Sequence, residues 1–124
     1  METFKFIKDQ MDILEIPYEF GEWTSAIKPL YFVGEFTEPE PATEDGKEEP
    51  YFILTGFSRG KYIELEEIKE RIKKHFHPVH GLRAQLDSGS IAVFYGGAFY
   101  VPTGEADLKR IQITLNIKQW KGAL

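Results

Sequence analysis

The stretch that decides the fold is Leu108–Trp120, which reads LKRIQITLNIKQW. Aliphatic residues occupy alternate positions within it: Ile111, Ile113, Leu115 and Ile117. Polar residues fill the positions between them: Arg110, Gln112, Thr114, Asn116 and Lys118. Because successive side chains of a strand point to opposite faces of a sheet, this alternation predicts a long strand with one buried face. The polar face predicts a sheet that is covered on one side only.

Four further segments extend this sheet and cover it. Two have apolar residues at helical spacing, which predicts amphipathic helices over Thr3–Leu14 and Ile63–Phe76. Two others are rich in β-branched and aromatic residues and bounded by Gly or Pro, which predicts strands at Leu30–Phe36 and Tyr51–Ser58.

The region that precedes the last strand is divided by glycines. Leu82–Leu86 and Ile91–Tyr95 have the pattern of two short strands. The pair Gly96-Gly97 is a hairpin turn signal that leads into Ala98–Val101. The combined pattern predicts a single α+β domain over residues 1–124. We expect an antiparallel sheet of about four main strands, with two helices packed on one face.

Composition limits the classes of function. The chain has 124 residues, a net charge of −5 and no cysteine, which excludes disulfides, a thiolate nucleophile and cysteine-ligated metal. The acidic balance argues against nucleic-acid binding, whose electrostatic term needs a basic face. Glu2, Lys5, Lys8 and Asp9 interrupt any apolar run near the first residue, so we expect neither a signal peptide nor a membrane span.

The segment Thr37–Pro50 differs in composition from the rest. Three prolines exclude a regular helix or central strand here, and the Asp45-Gly46 pair is a turn signal. We expect a long acidic β-hairpin loop, either a loop without regular structure or an arm that projects from the sheet. Six acidic residues accompany the single Lys47: Glu38, Glu40, Glu44, Asp45, Glu48 and Glu49.

Catalytic and cofactor motifs do not emerge from the sequence. The run His75–His80 contains three histidines, which could ligate a metal, but it spans a predicted helix end, where histidine suits the helix dipole. The glycines do not form a phosphate loop, and the serines lack the G-x-S-x-G elbow. We therefore expect a protein that is not an enzyme and has no metal or cofactor.

An interaction surface is the remaining expectation. Tyr95 and Phe99 flank the Gly96-Gly97 signal, and Arg110 and Gln112 lie on the polar face of the last strand. Together with the six acids of the loop, these four residues are the candidate contact residues. The aromatic residues Trp23, Tyr100 and Trp120 could join Tyr95 and Phe99 in one exposed patch or pack on the core.

The order of elements resembles that of the tail-terminator, or tail-completion, proteins of long-tailed bacteriophages and prophages. The resemblance covers nearly the whole chain. It begins with the first helix, the strand Pro29–Val33 and the long loop, and continues with Phe52–Arg59, the helix over Leu65–Phe76, a hairpin and the final strand from Leu108.

The resemblance implies a virion structural protein that ends the tail tube or joins tail to head as an oligomeric, hexameric ring. Its implied partners are other copies of itself, the tail-tube protein and the head-completion protein. It would bind neither sequence-specific nucleic acid nor membrane. It would be made in the bacterial host cytoplasm and assembled into the virion. Negative charge on Thr37–Pro50 could then line the lumen and let DNA slide. The alternative is a small cytoplasmic protein-binding or regulatory module that uses its open sheet face.

Overall fold

The fold is a six-stranded sheet with two helices. The structure is a computed structural model that describes residues 2–26, 28–37 and 50–121. The elements along the chain are α1 (Glu2–Ile13), β1 (Tyr18–Phe20), β2 (Leu30–Thr37), β3 (Tyr51–Ser58), α2 (Tyr62–His75), β4 (Leu82–Leu86), β5 (Gly89–Tyr100) and β6 (Lys109–Lys121). No helix among these residues is both long enough and apolar enough to cross a membrane.

The sheet has the strand order β1-β2-β3-β6-β5-β4 and curls as a single mixed sheet. β1 pairs with β2 in parallel, whereas every other neighbouring pair is antiparallel. The prediction of an antiparallel α+β sheet of about four main strands is therefore wrong. With 45% of the described residues in strands and 25% in helices, the sheet dominates the part of the chain that the structure describes.

Two physical features explain the error. β1 has only three residues, too few to show an alternation of apolar and polar positions. Its parallel pairing depends on long-range backbone hydrogen bonds from Phe32 N to Pro17 O and from Gly21 N to Gly34 O. Such pairings between distant residues leave no local pattern in the sequence.

The second correction concerns Gly96-Gly97, which is not a turn. β5 runs without a break from Gly89 to Tyr100, and its register against β6 shifts between Tyr95 and Gly97. The shift is a β-bulge in which Gly96 is the extra residue, and Gly97 has a φ of +122° that glycine adopts without strain. The hairpin that precedes it turns instead at Asp87-Ser88, between β4 and β5.

The core lies between the two helices and one face of the sheet. The alternation predicted for β6 is confirmed, because its four aliphatic side chains are at most 1% exposed. α1 contributes Ile7 and Met11 to the same cluster, and α2 contributes Leu65 and Ile72. Burying an aliphatic side chain of this size stabilises a fold by roughly 1.5–3 kcal/mol, so this face of β6 anchors the domain.

The predicted acidic loop connects β2 to β3, which pair antiparallel from Leu30↔Ser58 to Thr37↔Tyr51. The predicted contact residues of this segment lie outside the described residues: Glu38, Glu40, Glu44, Asp45, Glu48 and Glu49. Pro50, which follows them, accepts a hydrogen bond from Ile117 N at 3.0 Å. The chain therefore rejoins the sheet beside β6.

Candidate interaction surface

The sheet face opposite the helices forms the candidate surface, which we call the open face. Its side chains alternate with core side chains along each strand, and cross-strand neighbours share the face. One row across the sheet joins Val33 of β2 to Thr55 of β3, Gln112 of β6 and Phe99 of β5. Val33 and Thr55 are buried and Gln112 is half-buried. Phe99 is therefore the exposed member of this row. Neither described helix lies over this row, since the residues that α1 and α2 bury belong to the cluster on the other face.

A ladder of aromatic rings crosses the open face in the adjacent row. The Trp23 and Tyr31 ring centroids are 5.0 Å apart, and those of Tyr31 and Phe57 are 5.1 Å apart. Phe57 pairs in register with Arg110, so the ladder ends beside a guanidinium group. Aromatic and arginine side chains are enriched in protein interfaces, where they provide large contact areas.

Arg110 holds the end of this ladder in place. Its Nη2 donates a hydrogen bond to Pro102 O at 3.0 Å. Its Nε is buried and has no hydrogen-bond partner among the described residues. A buried donor without a partner costs free energy, so the Arg110 side chain is held by its Nη2 hydrogen bond and not by Nε.

Three of the four described contact candidates meet on the open face. Phe99 and Gln112 are direct cross-strand neighbours, and Arg110 lies two residues from Gln112 on the same face. Phe99 is 57% exposed, which makes it the most accessible aromatic ring of the described chain. The structure thus brings together residues that the sequence selected for separate reasons.

Tyr95 lies on the other face, against the helices. Residues four apart on a regular strand share a face, but the extra residue at Gly96 reverses the alternation between Tyr95 and Phe99. Tyr95 packs against the core, and the Lys73 Nζ lies 5.8 Å from its ring centroid. Burial raises the pKa of its hydroxyl. Tyr95 and Phe99 therefore flank a bulge and not a turn, and of the two only Phe99 is exposed.

The five aromatic residues considered for one patch occupy different places. Tyr100 pairs with Ile111 on the helix side, whereas Phe99 faces the open side. Trp120 pairs with Ser90, whereas Phe99 pairs with Gln112. Trp120 and Gln112 are eight residues apart along β6, which corresponds to about 27 Å at ~3.4 Å per residue. Only Trp23 and Phe99 of this set lie on neighbouring rows of the open face.

The histidine cluster is tied into local structure. His75 is half-buried and donates from Nε2 to Gln10 Oε1 at 2.7 Å, and burial lowers its pKa. His77 Nδ1 accepts hydrogen bonds from the backbone N–H groups of Val79 and His80. Across the described ranges, no group of three or more His, Cys, Asp or Glu side chains is arranged to hold a metal ion.

A second cluster, which the sequence did not single out, lies where α2 begins. Tyr62 and Tyr100 make an edge-to-face contact at 5.0 Å, and the Tyr100 hydroxyl donates to Glu66. Glu66 also binds Lys69, and these hydrogen bonds lower its pKa, that from Lys69 most. Desolvation and the bond to Glu66 raise the pKa of Tyr100 to about 12. Only the tertiary pairing of α2 with β5 reveals this cluster.

Comparison with known proteins provides no further assignment. No protein-family model matches this sequence, and a search of curated proteins finds no significant relative.

Proposed function

We propose that this chain is a non-catalytic virion structural protein of a tailed phage or prophage. In this role it ends the tail tube or joins the tail to the head as an oligomeric ring. The proposal rests on the order of elements that resembles the tail-terminator proteins. The structural observation that supports the proposal is the open face. There the aromatic ladder lies next to Phe99, Gln112 and Arg110 in neighbouring rows of the sheet.

The chemistry of this surface suits assembly between proteins. A closed ring requires each subunit to present two different surfaces that meet head to tail. The open face supplies a candidate for one of them, with rigid rings at its centre and polar groups beside them. The half-buried Arg110 and Gln112 side chains supply polar groups beside these rings.

The direct test is electron microscopy of the protein mixed with purified tail tubes. We expect capped tubes and rings, and we expect Phe99→Asp to reduce capping because it replaces the most exposed aromatic ring of the open face by a charge. The matched control is Val79→Ser, since Val79 is 72% exposed in the turn after α2, away from the open face. The absence of caps and rings under all conditions would exclude this function. A monomer in dilute solution would not, because such rings can require a tube as template.

The second candidate is a small protein-binding or regulatory module that uses the same open face. The ladder is narrow, with only two ring-to-ring contacts, and this favours a small and transient interface. Neighbouring genes distinguish the two candidates: terminase, portal, capsid and tail-tube genes support the first. Two results together would support the binding module. The wild-type protein would leave tail tubes uncapped, and Phe99→Asp would abolish binding of a soluble partner protein.

A further inference from the structure

The distal half of β5 has a free edge. β4 pairs only with Gly89–Val93, so the outer side of β5 from Gly96 to Tyr100 has no strand partner among the described residues. The N–H of Val101 points inward, where it donates to Arg110 O. Backbone groups alternate in direction along a strand, so those of Phe99 also point inward and those of Ala98 and Tyr100 point outward.

One side of α2 runs along this edge and forms the wall of a groove. Tyr62, Glu66, Lys69 and Lys73 are spaced by four, three and four residues, which places them on one side of the helix. At one end Tyr62 contacts Tyr100, and at the other Lys73 lies over the Tyr95 ring. The groove therefore extends between α2 and the free edge of β5. It is separate from the open face.

The two ends of the groove differ in chemistry. The Tyr62 end is an almost wholly apolar pocket lined by Tyr62, Ile63, Glu66 and Tyr100. Ile63 is 61% exposed there, although it is a large aliphatic residue in the first turn of a helix. At the other end, Lys73 is exposed and has no described carboxylate within ion-pair distance, whereas Lys69 is paired with Glu66 and Glu70.

We propose that the groove between α2 and β5 binds an extended peptide, which adds a strand to the free edge at Gly97–Tyr100. The outward N–H and C=O groups of Ala98 and Tyr100 would supply the backbone hydrogen bonds, and side-chain pockets would supply the specificity. An aliphatic or aromatic side chain of the peptide enters the Tyr62 pocket. A carboxylate of the peptide pairs with Lys73.

The spacing of the peptide residues follows from the strand. Tyr100, Ala98 and Tyr95 point toward α2 in succession, with Gly96 as the extra residue of the bulge. The free edge ends before Tyr95, whose N–H donates to Phe76 O at 2.8 Å. An added strand turns every second side chain toward the helix, so the carboxylate-bearing residue lies opposite Ala98, about two residues from the apolar residue opposite Tyr100. The partner is thus a polypeptide segment of alternating pattern with one acidic residue. This inference does not depend on the proposed virion role.

The experiment uses isotope-labelled protein and a panel of synthetic extended peptides. Each peptide alternates Thr and Val around one Leu or Phe, with an Asp two residues before or after it. We expect amide shifts at Ala98, Tyr100 and Ile63 on titration, and slowed hydrogen exchange at the Ala98 and Tyr100 amides. Peptides N-methylated on the paired residues should lose binding, because they cannot supply the ladder hydrogen bonds.

Protein variants separate this site from other surfaces. Lys73→Glu should reverse the charge preference, so that a peptide with Lys in place of Asp binds about tenfold better than the Asp peptide. Ile63→Ser should weaken binding about fivefold, and its exposure keeps the fold intact. Ile13→Ser, at an exposed aliphatic residue that ends α1, is the matched control for Ile63→Ser and should leave affinity unchanged.

Three results would overturn the proposal. One is the absence of shifts for every peptide up to a concentration on the order of 1 mM, which corresponds to negligible affinity. Another is a set of shifts confined to the open face or to β1 and β4. The third is a charge preference that stays the same in Lys73→Glu. We expect all of these variants to fold, because none of the substituted side chains belongs to the buried core.

Discussion

At the scale of single residues, the least expected feature is a buried hydroxyl. Tyr18 is 8% exposed and packs in the core cluster, yet its hydroxyl has no hydrogen-bond partner among the described residues. Desolvation raises the pKa of this hydroxyl above its ordinary value, because burial disfavours the charged form. A buried polar group without a partner costs ~1–3 kcal/mol.

Removing this hydroxyl should therefore stabilise the protein. We expect Tyr18→Phe to raise the free energy of unfolding by about 1 kcal/mol in urea titrations. The control is Tyr31→Phe, because Tyr31 is half-buried on the open face and its loss of a hydroxyl should change stability by less than about 0.5 kcal/mol. A destabilised Tyr18→Phe would show that the hydroxyl has a partner in the folded chain.

His75 should make stability depend on pH. Burial lowers its pKa in the folded state, so below about pH 6.5 the unfolded chain binds a proton that the folded chain binds less readily. The contribution of His75 to stability is thus fully present above the unfolded pKa and decreases as the pH falls toward the folded pKa. Urea unfolding at pH 7.5 and 5.5 should show this loss.

The control for this pH effect is a substitution at the same position. In His75→Gln, which can keep a hydrogen bond to Gln10, the loss of stability between these two pH values should be smaller than in the wild type. His80→Gln should keep the wild-type pH dependence, because His80 is exposed. An equal pH dependence in the wild type and His75→Gln would rule out His75 as the cause.

At the scale of elements, two glycines permit close packing of rings on the sheet. A Cβ at Gly56 of β3 would lie 2.4 Å from Phe32 Cζ, and one at Gly34 of β2 would lie 2.3 Å from the Tyr18 hydroxyl. Both rings are buried in the core cluster and have no free space to move into. These strands therefore depend on glycine for their contacts rather than for their backbone angles.

Gly56→Ala should destabilise the fold by about 1–3 kcal/mol, because the added methyl group overpacks a buried aromatic ring. Thermal or urea unfolding measures the change. Phe32→Leu supplies the matched test, since a smaller side chain at position 32 leaves room for the methyl group. If Gly56→Ala costs as much in the Phe32→Leu background as in the wild type, the two sites are not coupled and the ring is not the cause.

At the scale of the whole molecule, charge is unevenly distributed along the chain. The segment 38–49 has six acidic residues and one lysine, whereas residues 71–83 have four arginine or lysine residues, three histidines and no acid. Within a ring that surrounds DNA, an acidic lining would repel the phosphate backbone and let the DNA slide. This hypothesis rests on the proposed virion role and on the sequence of the segment.

If the chain has the proposed virion role, replacing the six acids by Gln or Asn should lower the infectivity of a phage that carries it, because DNA would adhere to the ring. Plaque titre and DNA ejection measure the effect. Phage with Glu67→Gln and Glu105→Gln, two exposed acids elsewhere on the described surface, serve as the control. An unchanged titre of the six-fold variant would count against an acidic lumen.

Some elements of this fold can be predicted from the sequence and others cannot. The strand β6 and the helices were predictable because each buries one face over many residues, and that requirement leaves a period of two or near 3.6 in the sequence. β1 was not predictable as a parallel edge strand, since three residues cannot show a period. The bulge at Gly96 was misread as a turn because both features use glycine with positive φ.

The sequence by itself determined the core side of each long element and the acidic and basic segments, because burial and charge are properties of local residue types. It also selected Phe99, Arg110 and Gln112. Only the tertiary structure decided that these three share one face, that Tyr95 does not, and that α2 lies beside a free strand edge. Those facts depend on cross-strand register, and one extra residue in a strand reverses the direction of every side chain that follows it.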